Sequence, residues 1–142
     1  KTRVANNIPR LLPGESSVGQ FGDLNKIRRT GDNLTPHHIP SDAYMKHIGI
    51  SGYTRNKGIA ILMEQPYPGR GGRHRRTQSY GQRQPGFNLS PRQALAGAVW
   101  DVRSIYRQDG LYTPQIRRNL QQVIKQNKRL WSGTFDKVGN TR

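Results

Sequence analysis

Gly31-Asp32-Asn33-Leu34-Thr35-Pro36-His37-His38-Ile39-Pro40-Ser41 places two adjacent histidines between two prolines. Each proline pushes the residue before it, Thr35 or Ile39, out of the helical region, so residues 34–39 are expected to be extended. Successive side chains on an extended segment point to opposite sides. One imidazole can then face a metal ion while the other faces a water molecule or a substrate. Upstream, Arg28-Arg29-Thr30-Gly31-Asp32-Asn33 has the composition of a turn. Downstream, Ser41 is placed to cap a short helix that runs to Ile48 and stops at Gly49.

Working outward, residues 18–24 read as a short strand anchored by Phe21. Residues 1–17, with Pro9, Pro13 and Gly14-Glu15-Ser16-Ser17, read as an irregular lead-in. Gly58-Ile59-Ala60-Ile61-Leu62-Met63 is an apolar run of the length of a buried strand. A Gly/Pro/Arg-rich bend follows, then one or two helical turns within residues 73–79, ended by Gly81. Ser90-Pro91 and Thr113-Pro114 each combine an N-cap with Pro at the first helical position. Leu95, Ala98, Val99, Val102 and Tyr106 recur at helical spacing, as do Ile116, Leu120, Val123, Ile124 and Trp131, with Gly110 between the two runs. The expected organisation is one α+β domain over 1–142: a strand-and-loop site unit at 18–81 beside a helical hairpin at 90–131. Trp100 and Trp131 are expected to be packing anchors.

Composition narrows the partners. Lys and Arg number 24 against 8 Asp and Glu, a net charge of +16, of which +11 falls in residues 71–142. Such an excess favours a polyanion, because each neutralised phosphate releases condensed counterions. Leu, Ile, Val and Phe make up 20% of the chain, enough for a small core only. The chain has no Cys, which removes disulfides, thiolate zinc sites and cysteine nucleophiles together. No apolar run is long enough to span a bilayer, so no membrane insertion is expected. The first residue is Lys1 rather than Met, from which a piece of a longer protein is expected.

The four histidines are His37, His38, His47 and His74. An adjacent pair alone also describes two surface or capping histidines. Here the flanking prolines stiffen the backbone, and His74 lies in the most basic stretch, residues 70–76. The buried strand between the two histidine segments can bring them together. Metal-assisted phosphodiester hydrolysis needs this kind of division: an ion to stabilise developing charge and a neutral imidazole to take a proton near pH 7. Arg73, Arg75 and Arg76 flank His74 and are read as phosphate contacts. His47 is read as a helix-surface or core residue. Glu64 either orients a histidine or ends its strand in solvent.

Residues 31–41, together with Gln65-Pro66-Tyr67-Pro68-Gly69-Arg70-Gly71-Gly72-Arg73-His74-Arg75-Arg76-Thr77-Gln78-Ser79-Tyr80-Gly81, resemble the two halves of the active site of the HNH/endonuclease VII nuclease superfamily. They are similar in particular to variants at the C-terminal tips of bacterial polymorphic toxins, including Rhs-repeat effectors. The resemblance spans residue 18 to about residue 131. It implies a ββα-metal unit of two strands and a helix around one divalent ion, Mg²⁺, Mn²⁺ or Zn²⁺. Carried over, His38 is the general base and His37 and His74 are metal ligands. Gln78, one turn beyond His74, departs from the pattern, since an amide is a poor ligand; Asp32, water or a substrate phosphate is left to complete the set. A central Asn is matched by Asn56 by position only.

The resemblance further implies a DNA endonuclease, with RNA as the alternative substrate. It would be secreted or delivered as part of a larger protein, act in the cytoplasm of a target cell, and be neutralised by an acidic cognate immunity protein. Two other readings stay open: a non-enzymatic basic nucleic-acid binder, and a toxin of other chemistry, such as a metal-independent RNase using His38 and His74 as acid and base. No nicotinamide-binding signature is visible.

Overall fold

The computed structural model describes residues 8–66 and 71–136. Its centre is the apolar run anticipated as a buried strand. In the order of the chain the elements are β1 (Val18–Gln20), α1 (Phe21–Ile27), β2 (Leu34–His38), α2 (Asp42–His47), β3 (Ile59–Glu64), α3 (Pro91–Gln108) and α4 (Pro114–Leu130). The three strands form one antiparallel sheet in the order β1-β3-β2. The domain is therefore α+β with a small sheet and two long helices.

β3 is apolar at every position from Ile59 to Met63 because it is central and covered on both faces. Ile59, Ile61 and Met63 face the larger core, built with Val102 and Tyr106 of α3 and Ile116, Leu120 and Val123 of α4. Ala60 and Leu62 face a smaller core with Phe21, Leu24 and Leu34. Strand alternation thus assigns one side of the sheet to the hairpin and the other to α1. Pro36, which has no amide hydrogen to donate, is tolerated because β2 is an edge strand.

Both long helices begin where their caps predict. Ser90 and Gln93 form a reciprocal capping box on α3, and Thr113 accepts the Ile116 amide on α4. Ser41 caps α2 by accepting the Tyr44 amide at 3.1 Å. The hairpin is also tied to the histidine segment: buried Asn127 of α4 donates to the Ile39 carbonyl at 2.8 Å.

Three local expectations are corrected. The N-terminal strand stops at Gln20, and Phe21 and Leu24 lie three residues apart on the buried face of α1 rather than along a strand. The turns expected in 73–79 reduce to a single 3-10 turn, His74–Arg76. Arg73 is held from outside that turn, and the Gln78 amide is taken by the Asp101 carboxylate at 2.8 Å instead of by a helical carbonyl. Trp131 is buried as expected, but Trp100 is 60% exposed and anchors nothing.

Candidate active site

The β2–β3 register decides where the two histidines point. His37 pairs with Ile61 and His38 with Ala60, so His37 projects toward the hairpin side and His38 toward α1. Both lie at the end of β2 and line one open cleft of about 240 Å³, with His74, Arg55 and Tyr80 on its walls.

His38 is held on three sides. Its ring stacks on Phe21, with centroids 4.3 Å apart and planes 9° from parallel. Its Nε2 lies 2.8 Å from the Arg55 carbonyl oxygen. A carbonyl only accepts, so Nε2 carries the hydrogen and Nδ1 keeps its lone pair. Behind the ring lies Gly58, where a Cβ would come within 2.6 Å of His38 Cδ2 and 2.7 Å of the Tyr53 hydroxyl. Burial pushes the His38 imidazole below its ordinary range, and the Arg55 carbonyl offsets part of that. His38 is therefore a neutral imidazole of defined tautomer at pH 7.

His37 and His74 meet edge to face, with ring centroids 5.1 Å apart and planes at 72°. Segments separated by the whole of β3 are thus brought together. His74 Nδ1 donates to the Gln65 side-chain oxygen at 2.5 Å, which leaves Nε2 as its acceptor. Neither ring nitrogen of His37 has a hydrogen-bond partner among the described residues, although the side chain is buried. Burial, reinforced by the His74 and His38 charges, pushes His37 down to about 3. Burial and then Arg75 push His74 down to about 4. Two neutral imidazoles with free lone pairs result. Rings sharing one tetrahedral ion at ~2.0–2.1 Å would have centroids about 5 Å apart, a separation that this pair matches. Among the described residues no group of three or more His, Cys, Asp or Glu side chains is placed to hold a metal. The donor set is two imidazoles, and the remaining coordination positions would fall to water and phosphate.

The other candidates divide. Asp32 accepts the Arg29 and Leu34 amides at 2.7 and 2.9 Å, so its carboxylate shapes the turn before β2 and does not reach the histidines. Gln78 is not on a helix face with His74; it lines a neighbouring cavity beside Asp101. Glu64 accepts the Arg73 amide at 3.2 Å and orients no histidine. His47 stacks on Phe87 at the surface of α2. Asn56 packs its side chain against Gly22 and does not enter the cleft.

Arg73 is the plainest departure from expectation. Its residue is 2% exposed, so it has no access to a phosphate. Its guanidinium binds Glu15 at 2.7 and 2.8 Å, Asp109 at 3.0 Å and the Arg10 carbonyl at 2.8 Å. Arg76 is likewise tied to Asp109, at 2.9 Å. Arg75 lies over the ring of Tyr80, a residue of the cleft wall, 5.0 Å from its centroid. The cation that composition did not single out is Arg55, which is exposed, lines the cleft and lies over the Phe21 ring at 4.7 Å. Gly58 was the residue with a visible signal, a glycine directly before the apolar strand; Arg55 had none.

Comparison with models of protein families, with curated proteins and with solved structures finds no match to this chain.

Proposed function

We propose that the chain is a metal-dependent endonuclease of the HNH type that hydrolyses phosphodiester bonds. The observation that carries this reading is the cleft itself: a base of fixed tautomer, His38, beside a pair of neutral imidazoles, His37 and His74, on a strongly basic chain. His38 Nδ1 takes a proton from the attacking water as the new P–O bond forms. An ion bound there would supply charge stabilisation for the phosphate and for the oxygen that leaves as its P–O bond breaks. His37 and His74 would hold that ion, Gln65 orients His74 through its Nδ1 hydrogen, and Arg55 and Arg75 would meet the flanking phosphates. Two imidazoles without a carboxylate suit Zn²⁺ better than Mg²⁺, which prefers oxygen ligands.

The metal-independent RNase reading is less well supported. It needs a protonated imidazole as acid near pH 7, and burial keeps His37 and His74 neutral well below that. The passive-binder reading leaves three converging imidazoles without a purpose.

The biological setting that fits is an antibacterial toxin, the C-terminal part of a secreted effector acting in a target cell's cytoplasm. An acidic immunity protein would neutralise it through charge complementarity. Among the described residues no helix is long and apolar enough to cross a membrane. The test is incubation with plasmid DNA and with RNA under Zn²⁺, Mn²⁺, Mg²⁺ or EDTA, together with expression in a bacterial cytoplasm. Metal-dependent cutting and lethality are expected. Harmless accumulation with no cutting under any metal would sink the reading.

A further inference from the structure

A second cavity, of about 150 Å³, adjoins the histidine cleft and shares His37 and His38 with it. One wall is α3, which presents Ala94, Gly97, Ala98 and Asp101, residues at the spacing of a single helix face. The three small side chains leave the space open, and a Cβ at Gly97 would meet nothing within 4 Å.

Asp101 gives this cavity its chemistry. It is 9% exposed, and no cation among the described residues pairs with it. Its Oδ2 accepts the Gln78 amide at 2.8 Å, and Oδ1 has no partner among the described residues. A carboxylate oxygen accepts more than one hydrogen bond, so both oxygens retain capacity. Burial pushes the Asp101 carboxyl above its usual range, with the Gln78 amide opposing, as expected for a group still lacking donors.

We infer that this cavity takes an unpaired guanine base next to the phosphodiester that is cut, with Asp101 accepting from its N1–H and N2–H groups. The inference rests on the nuclease reading, because it is the histidine cleft that places a phosphate at the cavity's mouth. A flat ring suits a space whose α3 wall carries only Ala94, Gly97 and Ala98 beside Asp101. Guanine alone among the common bases offers two adjacent donors on its Watson–Crick edge, which match a carboxylate. Adenine and cytosine set an acceptor beside the amine, and uracil and thymine flank one N–H with two acceptors. That edge is occupied in a duplex, so the substrate is single-stranded or locally opened nucleic acid.

The test uses single-stranded DNA and RNA oligonucleotides that differ at one position, G, inosine, A or C, with cut sites mapped. Inosine lacks the N2 amine and should be cut roughly tenfold more slowly than guanine. Titration of the metal-free chain with GMP and IMP, read by NMR, reports the base contact without cutting. Asp101→Asn should erase the preference in both measurements. Gly97→Leu replaces a glycine in the middle of a helix, which favours folding, and should block GMP by filling the cavity. Equal cutting and equal binding of guanine and inosine would overturn the pocket and leave the nuclease standing. Binding of GMP over IMP that Asp101→Asn abolishes, without any cutting, would keep the base contact and overturn the nuclease. Unchanged GMP binding in Gly97→Leu would also overturn the pocket.

Discussion

The two segments that bring histidines to the cleft are built by different physics. Residues 34–41 take their geometry from a sheet: β2 is laddered to β3, and its end is anchored through the Ile39 carbonyl to Asn127. Residues 71–81 have one 3-10 turn and no strand; they are held by Arg73, whose buried guanidinium bridges Glu15 and Asp109. His38 therefore rests on a cooperative backbone ladder, whereas His74 rests on a set of side-chain contacts centred on the Arg73 ion pairs. Neutral hydrogen bonds are individually modest and numerous. A buried ion pair is expensive to form and more expensive to leave half-made.

The largest expected effect separates the segments by role. His38→Ala should lower the cleavage rate by ~10²–10⁴-fold, since it removes the proposed base. Metal affinity should stay near wild type, because His37 and His74 are intact. His74→Ala should instead weaken metal binding by calorimetry. Wild-type cutting by His38→Ala would remove His38 from its role.

The next effect concerns the strap. Arg73→Met should cost about 3–5 kcal/mol, because it leaves the Glu15 carboxylate buried without its cation. Pairing it with Glu15→Gln should recover part of that loss. Hydrogen exchange should show residues 71–81 losing protection before the sheet does. If the sheet and the segment loosen together, the contrast between them is wrong.

Gly58→Ala probes the ladder-built side alone. Its Cβ would overlap the His38 ring and the Tyr53 hydroxyl. On the proposed function, a displaced His38 should lower the rate by on the order of 10²-fold, with little change in metal affinity. A rate within twofold of wild type would show that His38 has freedom to move.

A further effect is spread over pH and joins both segments. His37 and His74 have folded values near 3 and 4, and His38 is also lowered. The unfolded imidazole titrates near ~6.5. Between those values the unfolded chain binds more protons, so stability is complete above about pH 6.5 and falls as pH drops toward 4. Each imidazole adds at most about 1.4 kcal/mol per pH unit. Denaturant melts of the metal-free protein between pH 7.5 and 4.5 measure the slope, and His37→Phe should flatten it. A flat wild-type profile would contradict burial of the neutral rings.

Local signals determined much of the architecture. The caps at Ser41, Ser90 and Thr113 set helix starts, and the run at 59–63 was legible as a buried strand, because capping and burial patterns act over a few residues. The opposed directions of His37 and His38 also followed from strand alternation. What only the tertiary structure decided was which charges are spent. Arg73, Arg75 and Arg76 look alike in sequence, yet Arg73 is buried by a carboxylate 58 positions earlier, Arg76 is tied to Asp109, and Arg75 lies over the Tyr80 ring. Arg55 and Gly58 gained their roles because the β2–β3 register sets the His38 ring beside them. A charged or small side chain has no fixed role of its own; long-range packing assigns its partner, and that assignment is not periodic in sequence.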